Sequence, residues 1–240
     1  MPKAILLPCV ISIVLARALS PPVCAFDATD RYEPRAIEGW SIKVNKRLLE
    51  GQPELAERTL THLRHHLQAI VHRLPAKAVE KLRDVPIWVE VEDKLHPCMC
   101  YHPDRQWLVE HDYNPEKAKC VELANAQNFL TWTIDQPWMV LHELAHAYHD
   151  RVLGFDHAEI QAAHQRAAAA KSYEQVLRIS GKRERAYALT DAKEYFAECS
   201  EAFFGTNDFY PFVRSELAEH DPETFKLLGK LWQTDEAAAK

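Results

Sequence analysis

Residues 138–152 constrain the fold more than any other stretch. Trp138, Leu141, Ala145, Tyr148 and Val152 recur at helical spacing and form one apolar stripe, while His142 and His146 stand one turn apart on another face. A helix of this kind buries one flank in a core and turns the other toward something polar. Imidazoles four residues apart can converge on one metal ion about 2 Å from each nitrogen. Glu143 sits between them, one residue around the helix, where a carboxylate can take a proton from a water at the metal without itself ligating. Pro137 reads as the start of this helix.

A catalytic zinc site takes three protein ligands, so a third must come from elsewhere. His149 is about 10 Å from His142 along a straight helix, too far to share an ion. The longer motif that ends in Gly and a third His also fails, because His149 and Val152 occupy those positions. Downstream, Thr190 or Asp191 can cap a helix running to Phe204 and Gly205, and it carries Glu194 and Glu198 four residues apart. Glu194 is the better third ligand, and Glu198 one turn later could accept a hydrogen bond from a ligating histidine. Spacing alone does not say which carboxylate touches metal. Asp191 with Glu194 also matches a capping box, and Glu194, Glu198 and Glu201 also read as a solvated acidic stripe.

The run Tyr187-Ala-Leu-Thr-Asp-Ala-Lys-Glu194-Tyr-Phe-Ala-Glu198, after His142-Glu-Leu-Ala-His146, resembles the catalytic domain of anthrax lethal factor and its gluzincin relatives over residues 121–205. The resemblance implies a zincin-like fold and a single Zn2+ held by His142, His146 and Glu194. It implies Glu198 as the partner that orients His142, and Tyr187 as the group that stabilises the oxyanion. Val121, Glu122 and Leu123 resemble the edge strand along which an extended peptide pairs. The implied activity is peptide-bond hydrolysis by a zinc-activated water, with Glu143 as general base. Two other readings share the motif: a zinc-binding module that recognises a partner without cleaving it, and a zinc hydrolase of a small amide.

The rest of the chain fits one α+β domain. Residues 1–25 read as an export signal, with Lys3 before an apolar run and small residues at Val23-Cys24-Ala25, which points to a secreted or periplasmic protein. That leaves residues 26–240 as the domain, with 27 basic against 35 acidic side chains and no basic block, so neither nucleic acid nor membrane is the expected partner. The expected partner is a peptide or protein substrate, and the expected state a monomer. Trp40, Ile42 and Val44 alternate as a strand, Pro53 opens a long helix, and Pro86–Val91 and Val121–Ala124 read as further strands. A loop is predicted between the last two. His157–Lys171 reads as a helix, Tyr173–Ile179 and Glu184–Leu189 as a hairpin about Ser180-Gly181-Lys182, and residues 209–219 and 222–233 as closing helices. A small twisted mixed sheet with helices thus precedes a mainly helical half. After export, Cys120 could pair with Cys98 or Cys100, while Cys199 is the fourth cysteine of the domain. His62 and His66 also have metal-pair spacing, but no acidic residue lies between them, and they read as part of a solvated helix face.

Overall fold

Strands β1 (Tyr32–Ile37) and β2 (Trp40–Asn45) form a hairpin whose two-residue turn, Glu38-Gly39, has φ of 51° and 89°. Both residues are left-handed, as a turn matching the natural strand twist requires, and a glycine at the second position carries no steric penalty. The computed structural model describes residues 26–93 and 95–234. The export segment inferred for residues 1–25 lies outside the described residues.

Asn45 caps α1 (Lys46–Gly51), and α2 (Pro53–Arg73) follows with Pro53 at its first turn. Leu63, Leu67 and Ile70 of α2 are fully buried, as the apolar stripe predicts. After α3 (Ala76–Arg83) come β3 (Ile87–Val89), β4 (Met99–Tyr101), α4 (Arg105–Glu110) and β5 (Val121–Leu123). The five strands make one mixed sheet in the order β1-β2-β3-β5-β4, so β4 is an edge and β5 lies inside. Alternation splits the sheet into two environments. Ile87, Val89, Val121 and Leu123 join the main helix-covered core, while Trp88 and Cys120 form a small separate cluster with Tyr32.

The chain continues through α5 (Ala126–Trp132), α6 (Met139–Tyr148), α7 (Ala158–Ala170), a two-stranded ribbon of β6 (Val176–Leu177) and β7 (Arg183–Glu184), α8 (Ala192–Phe204), α9 (Arg214–His220) and α10 (Pro222–Leu231). The architecture is α+β, with the sheet in the first half and helices dominating the second. Among the described residues, no helix is long and apolar enough to cross a membrane.

The histidine helix departs from the predicted stripe at its end. Leu141, Ala145 and Tyr148 are buried, but Val152 is exposed, because a π-turn over His149–Leu153 advances the phase before Gly154 ends the run. That turn drives His149 into the interior against Phe155 and Phe196. Burial pushes its pKa down to about 4, so it is a neutral core ring.

Helices α6 and α8 pack together, with the start of one beside the end of the other. Trp138 precedes α6 and Gly205 ends α8, and a Cβ at Gly205 would fall inside the Trp138 indole. The crossing therefore depends on a residue without a side chain.

Candidate metal centre

Asp191 caps α8 through Oδ1, which accepts from the backbone N–H groups of Lys193 and Glu194 at 2.7 and 3.0 Å. With the cap supplied by Asp191, the Glu194 side chain is free to turn toward α6. The helix is buried along Tyr195–Phe204. Glu194, Glu198 and Glu201 occupy positions i, i+4 and i+7, which lie on one face. That face meets the histidines, so the carboxylates are not a solvated stripe: Glu198 and Glu201 are buried.

Glu194 Oε2 lies 3.0 Å from His142 Nε2 and 3.3 Å from His146 Nε2. Ligands of a tetrahedral ion at about 2.0–2.1 Å stand about 3.3 Å apart, so two imidazole nitrogens and a carboxylate oxygen at these separations fit zinc. The three residues are only partly buried and line a cleft of about 430 Å³, together with Glu143 and Tyr187. The volume is in the range of small-molecule and peptide subsites. Tyr187 lies in a short 3-10 turn, Tyr187–Leu189, beyond the ribbon. It is half-exposed, with its ring centroid 6.4 Å from that of His142.

The second ring nitrogen of His142 corrects one expectation. Nδ1 is 2.7 Å from Glu201 Oε1 and 3.7 Å from Glu198 Oε1, so Glu201 rather than Glu198 makes the hydrogen bond. The two helices cross so that His142 faces the second turn after Glu194 instead of the first. The sequence carries the signal, since on a helix the seventh residue returns closer to the starting face than the fourth. Glu198 Oε2 is left buried without a partner.

Electrostatics follow from this packing. Burial opposes the charged form of His142, yet its bonds to Glu194 and Glu201 hold its pKa well above the ordinary imidazole value. Burial likewise opposes ionisation of Glu194, but hydrogen bonds from His142 and His146 keep its carboxyl well below the usual range. Glu198 and Glu201 go the other way: burial, and for Glu198 the charge of Glu201, push their carboxyls up. Asp208, also buried and lining the cleft, is raised by the same cause despite Arg178 at 3.3 Å.

The edge-strand expectation is overturned. Val121, Glu122 and Leu123 form β5, which pairs with β3 on one side and β4 on the other, so its backbone has no free edge for a peptide. Glu122 is fully buried under the sheet, bonded to Lys117 and to His102 at 2.5 Å. The exposed edge is β4, and Met99, Cys100 and Tyr101 line the cleft. Strand β4 falls within the predicted loop, because Met99-Cys100-Tyr101 has no β-branched residue and no polar–apolar alternation to mark it. Among the described residues no disulfide forms either: Cys98, Cys100, Cys120 and Cys199 are free thiols. Antiparallel register places Cys100 opposite Glu122 and brings Cys120 beside His102 instead.

His62 and His66 do not build a second helix-borne metal site. Their Nε2 atoms are 3.1 Å apart, His62 also meets Thr133 Oγ1 at 2.8 Å, and both rings pack on Phe129. Among the described residues they join no group of three potential ligands.

Comparison with models of known families finds no match to the sequence, and searches of curated proteins and of solved structures find no significant match.

Proposed function

We propose that this chain is a zinc-dependent metallopeptidase with a zincin-like fold of the gluzincin type. The observation that carries the reading is the convergence of Glu194 Oε2 on the Nε2 atoms of His142 and His146, at 3.0 and 3.3 Å, in a residue-lined cleft. His142, His146 and Glu194 would hold the ion. Zinc bound there supplies Lewis acidity, acidifying a water and polarising a carbonyl.

Glu143 lines the cleft beside the ligands and serves as the general base, taking a proton from the attacking water and returning it to the leaving amine. Tyr187 lines the same space, its ring 6.4 Å from that of His142, and donates its hydroxyl proton in a hydrogen bond to the developing oxyanion. Burial, followed by the nearby Glu194 charge, raises the Tyr187 pKa, which keeps the hydroxyl a donor at neutral pH. Glu201 accepts from His142 Nδ1–H, fixing the tautomer that leaves Nε2 free for the metal.

An extended peptide adds to the free edge of β4 in place of β5, taking backbone hydrogen bonds from Met99–Tyr101. This geometry favours peptides over a small amide, for which a strand edge offers nothing. Retention of Glu143 argues against a module that binds without cleaving.

The test is to measure zinc content and cleavage of a peptide library for wild type, Glu143→Ala and Glu194→Ala. Glu143→Ala is expected to keep zinc and lose about 10²–10⁴-fold in rate, while Glu194→Ala loses much of both. Wild-type cleavage rates in Glu143→Ala would discard the mechanism.

A further inference from the structure

A second group of ligand-type side chains lies behind the edge strand. His96, Cys100 and His102 place one nitrogen or sulfur atom each within 4.8 Å of one another. Cys100 Sγ is 3.4 Å from His102 Nε2. Ligands around a tetrahedral zinc with Zn–S about 2.3 Å and Zn–N about 2.0–2.1 Å stand about 3.5 Å apart, so this separation suits coordination as well as a hydrogen bond. His96 Nε2 is buried and has no hydrogen-bond partner. A buried polar atom without a partner costs about 1–3 kcal/mol, so a ring held in that state needs a reason.

The ring is held deliberately. Asp93 Oδ1 accepts from the backbone N–H groups of Leu95 and His96 at 2.8 and 3.0 Å, and from the Tyr113 hydroxyl. The imidazole packs among His102, Tyr113 and Trp107, with ring centroids 5.4, 5.6 and 5.9 Å away. Behind the group, Glu122 Oε2 reaches His102 Nε2 at 2.5 Å, and its other oxygen meets Lys117, which also bonds Glu90 at 2.7 Å. Two carboxylates thus share one ammonium beneath the sheet, so the thiolate that a metal site needs would stand beside acidic groups, and a divalent cation would offset it.

We propose that His96, Cys100 and His102 form a second, three-residue metal site for a thiophilic divalent ion of the zinc class, the hydrogen bond between His102 Nε2 and Glu122 giving way as the ion takes that nitrogen. Binding breaks the Cys100 S–H bond, the proton leaves to solvent, and the sulfur electron pair goes to the metal. The ion ties the loop before β4 to β4 and to His102 just beyond it, and so stiffens the wall along which the cleft runs. The inference stands independently of the peptidase reading, because it shares no ligand with His142, His146 or Glu194.

Cobalt separates the two sites, since only this one contains sulfur. Titration of the metal-free full chain with Co2+ is expected to saturate at two equivalents, one of them bringing a sulfur-to-cobalt charge-transfer band. Glu194→Gln should weaken the sulfur-free site and keep that band. Cys100→Ser should abolish the band and one equivalent while keeping the other, with far-ultraviolet circular dichroism unchanged in the metal-free state. His96→Gln, a milder change in a partly exposed loop, should shift the midpoint of the charge-transfer titration by about 10–100-fold. A band that survives Cys100→Ser, a midpoint unmoved by His96→Gln, or saturation without any charge-transfer band would overturn the proposal.

Discussion

Two clusters of imidazoles and carboxylates meet the strand β4, and they are built on opposite plans. In the cleft, Glu194, Glu198 and Glu201 crowd one histidine pair, Lys193 lines the cleft without an ion pair to them among the described residues, and Glu198 Oε2 has no hydrogen-bond partner. Beneath the sheet, Glu90 and Glu122 are matched with Lys117, His102, the Tyr32 hydroxyl at 2.5 Å and the Asn45 amide at 2.7 Å. One cluster holds surplus negative charge at the wall of a cleft; the other distributes its charge inside the fold. The difference separates a cluster at the wall of a cleft from a hydrogen-bonded network between strands.

Breaking the closed cluster should cost the fold most. Lys117→Met leaves Glu90 and Glu122 buried without their shared cation, and a loss of about 3–5 kcal/mol is expected in urea unfolding. A loss under 1 kcal/mol would make the network ornamental. Tyr187→Phe tests the open side. It should leave the urea midpoint unchanged, because the side chain is half-exposed. Removing one oxyanion donor should lower kcat on a peptide about 10²–10³-fold with little change in KM. A KM change alone would make Tyr187 a binding residue.

Smaller effects decide between Glu201 and Glu198. Glu201→Gln should weaken zinc affinity about 10–100-fold, and Glu198→Gln less, since its oxygen stands 3.7 Å from the ring. The reverse order would restore the reading from spacing. The smallest effect is a pH slope in metal-free protein. Glu201 has its pKa raised in the fold by burial, so the stability it contributes is complete below about 4.5 and lost as pH rises through the folded value. Glu198, Asp208, Glu143 and His142 face it, the first two also raised, so the slope is shared. Glu122 has the opposite sign: burial would raise it, but His102 and Lys117 lower it, and its contribution is lost only as pH falls below about 4.5. Thermal melts of metal-free Glu201→Gln between about pH 5 and 8 should therefore be flatter than those of wild type. Equal slopes would remove Glu201 from the account.

What the sequence disclosed follows the length of each signal. Helices α2, α6 and α8 span several turns, so their apolar periodicity and caps at Pro53 and Asp191 could be read directly. Spacing on α8 offered Glu194 and Glu198 together without ranking them, and the resemblance named Glu194 as the ligand. The strands divided: β2, β3 and β5 read as strands through their Val and Ile residues, whereas β4, Met99-Cys100-Tyr101, has no β-branched residue, and β1 is interrupted by Pro34 and lies beside a Glu-Gly turn that lacks the usual Asn-Gly signature. The order of β4 and β5 is a long-range property no local pattern carries, and the misplaced edge came from it. Glu198 and Glu201 could not be ranked because their distance to His142 depends on how α8 slides along α6.

That sliding is governed at Gly205 and Trp138, where bare backbone rests on an indole. The pair acts as a calliper set remote from the ligands: ring thickness fixes how far apart the nitrogen-bearing and oxygen-bearing helices stand. An alanine at 205 would touch none of the ligands, yet it would spread the jaws and part Glu194 from both imidazoles. On the proposed function, affinity for the metal would be written partly into a contact between a hydrogen atom and a tryptophan.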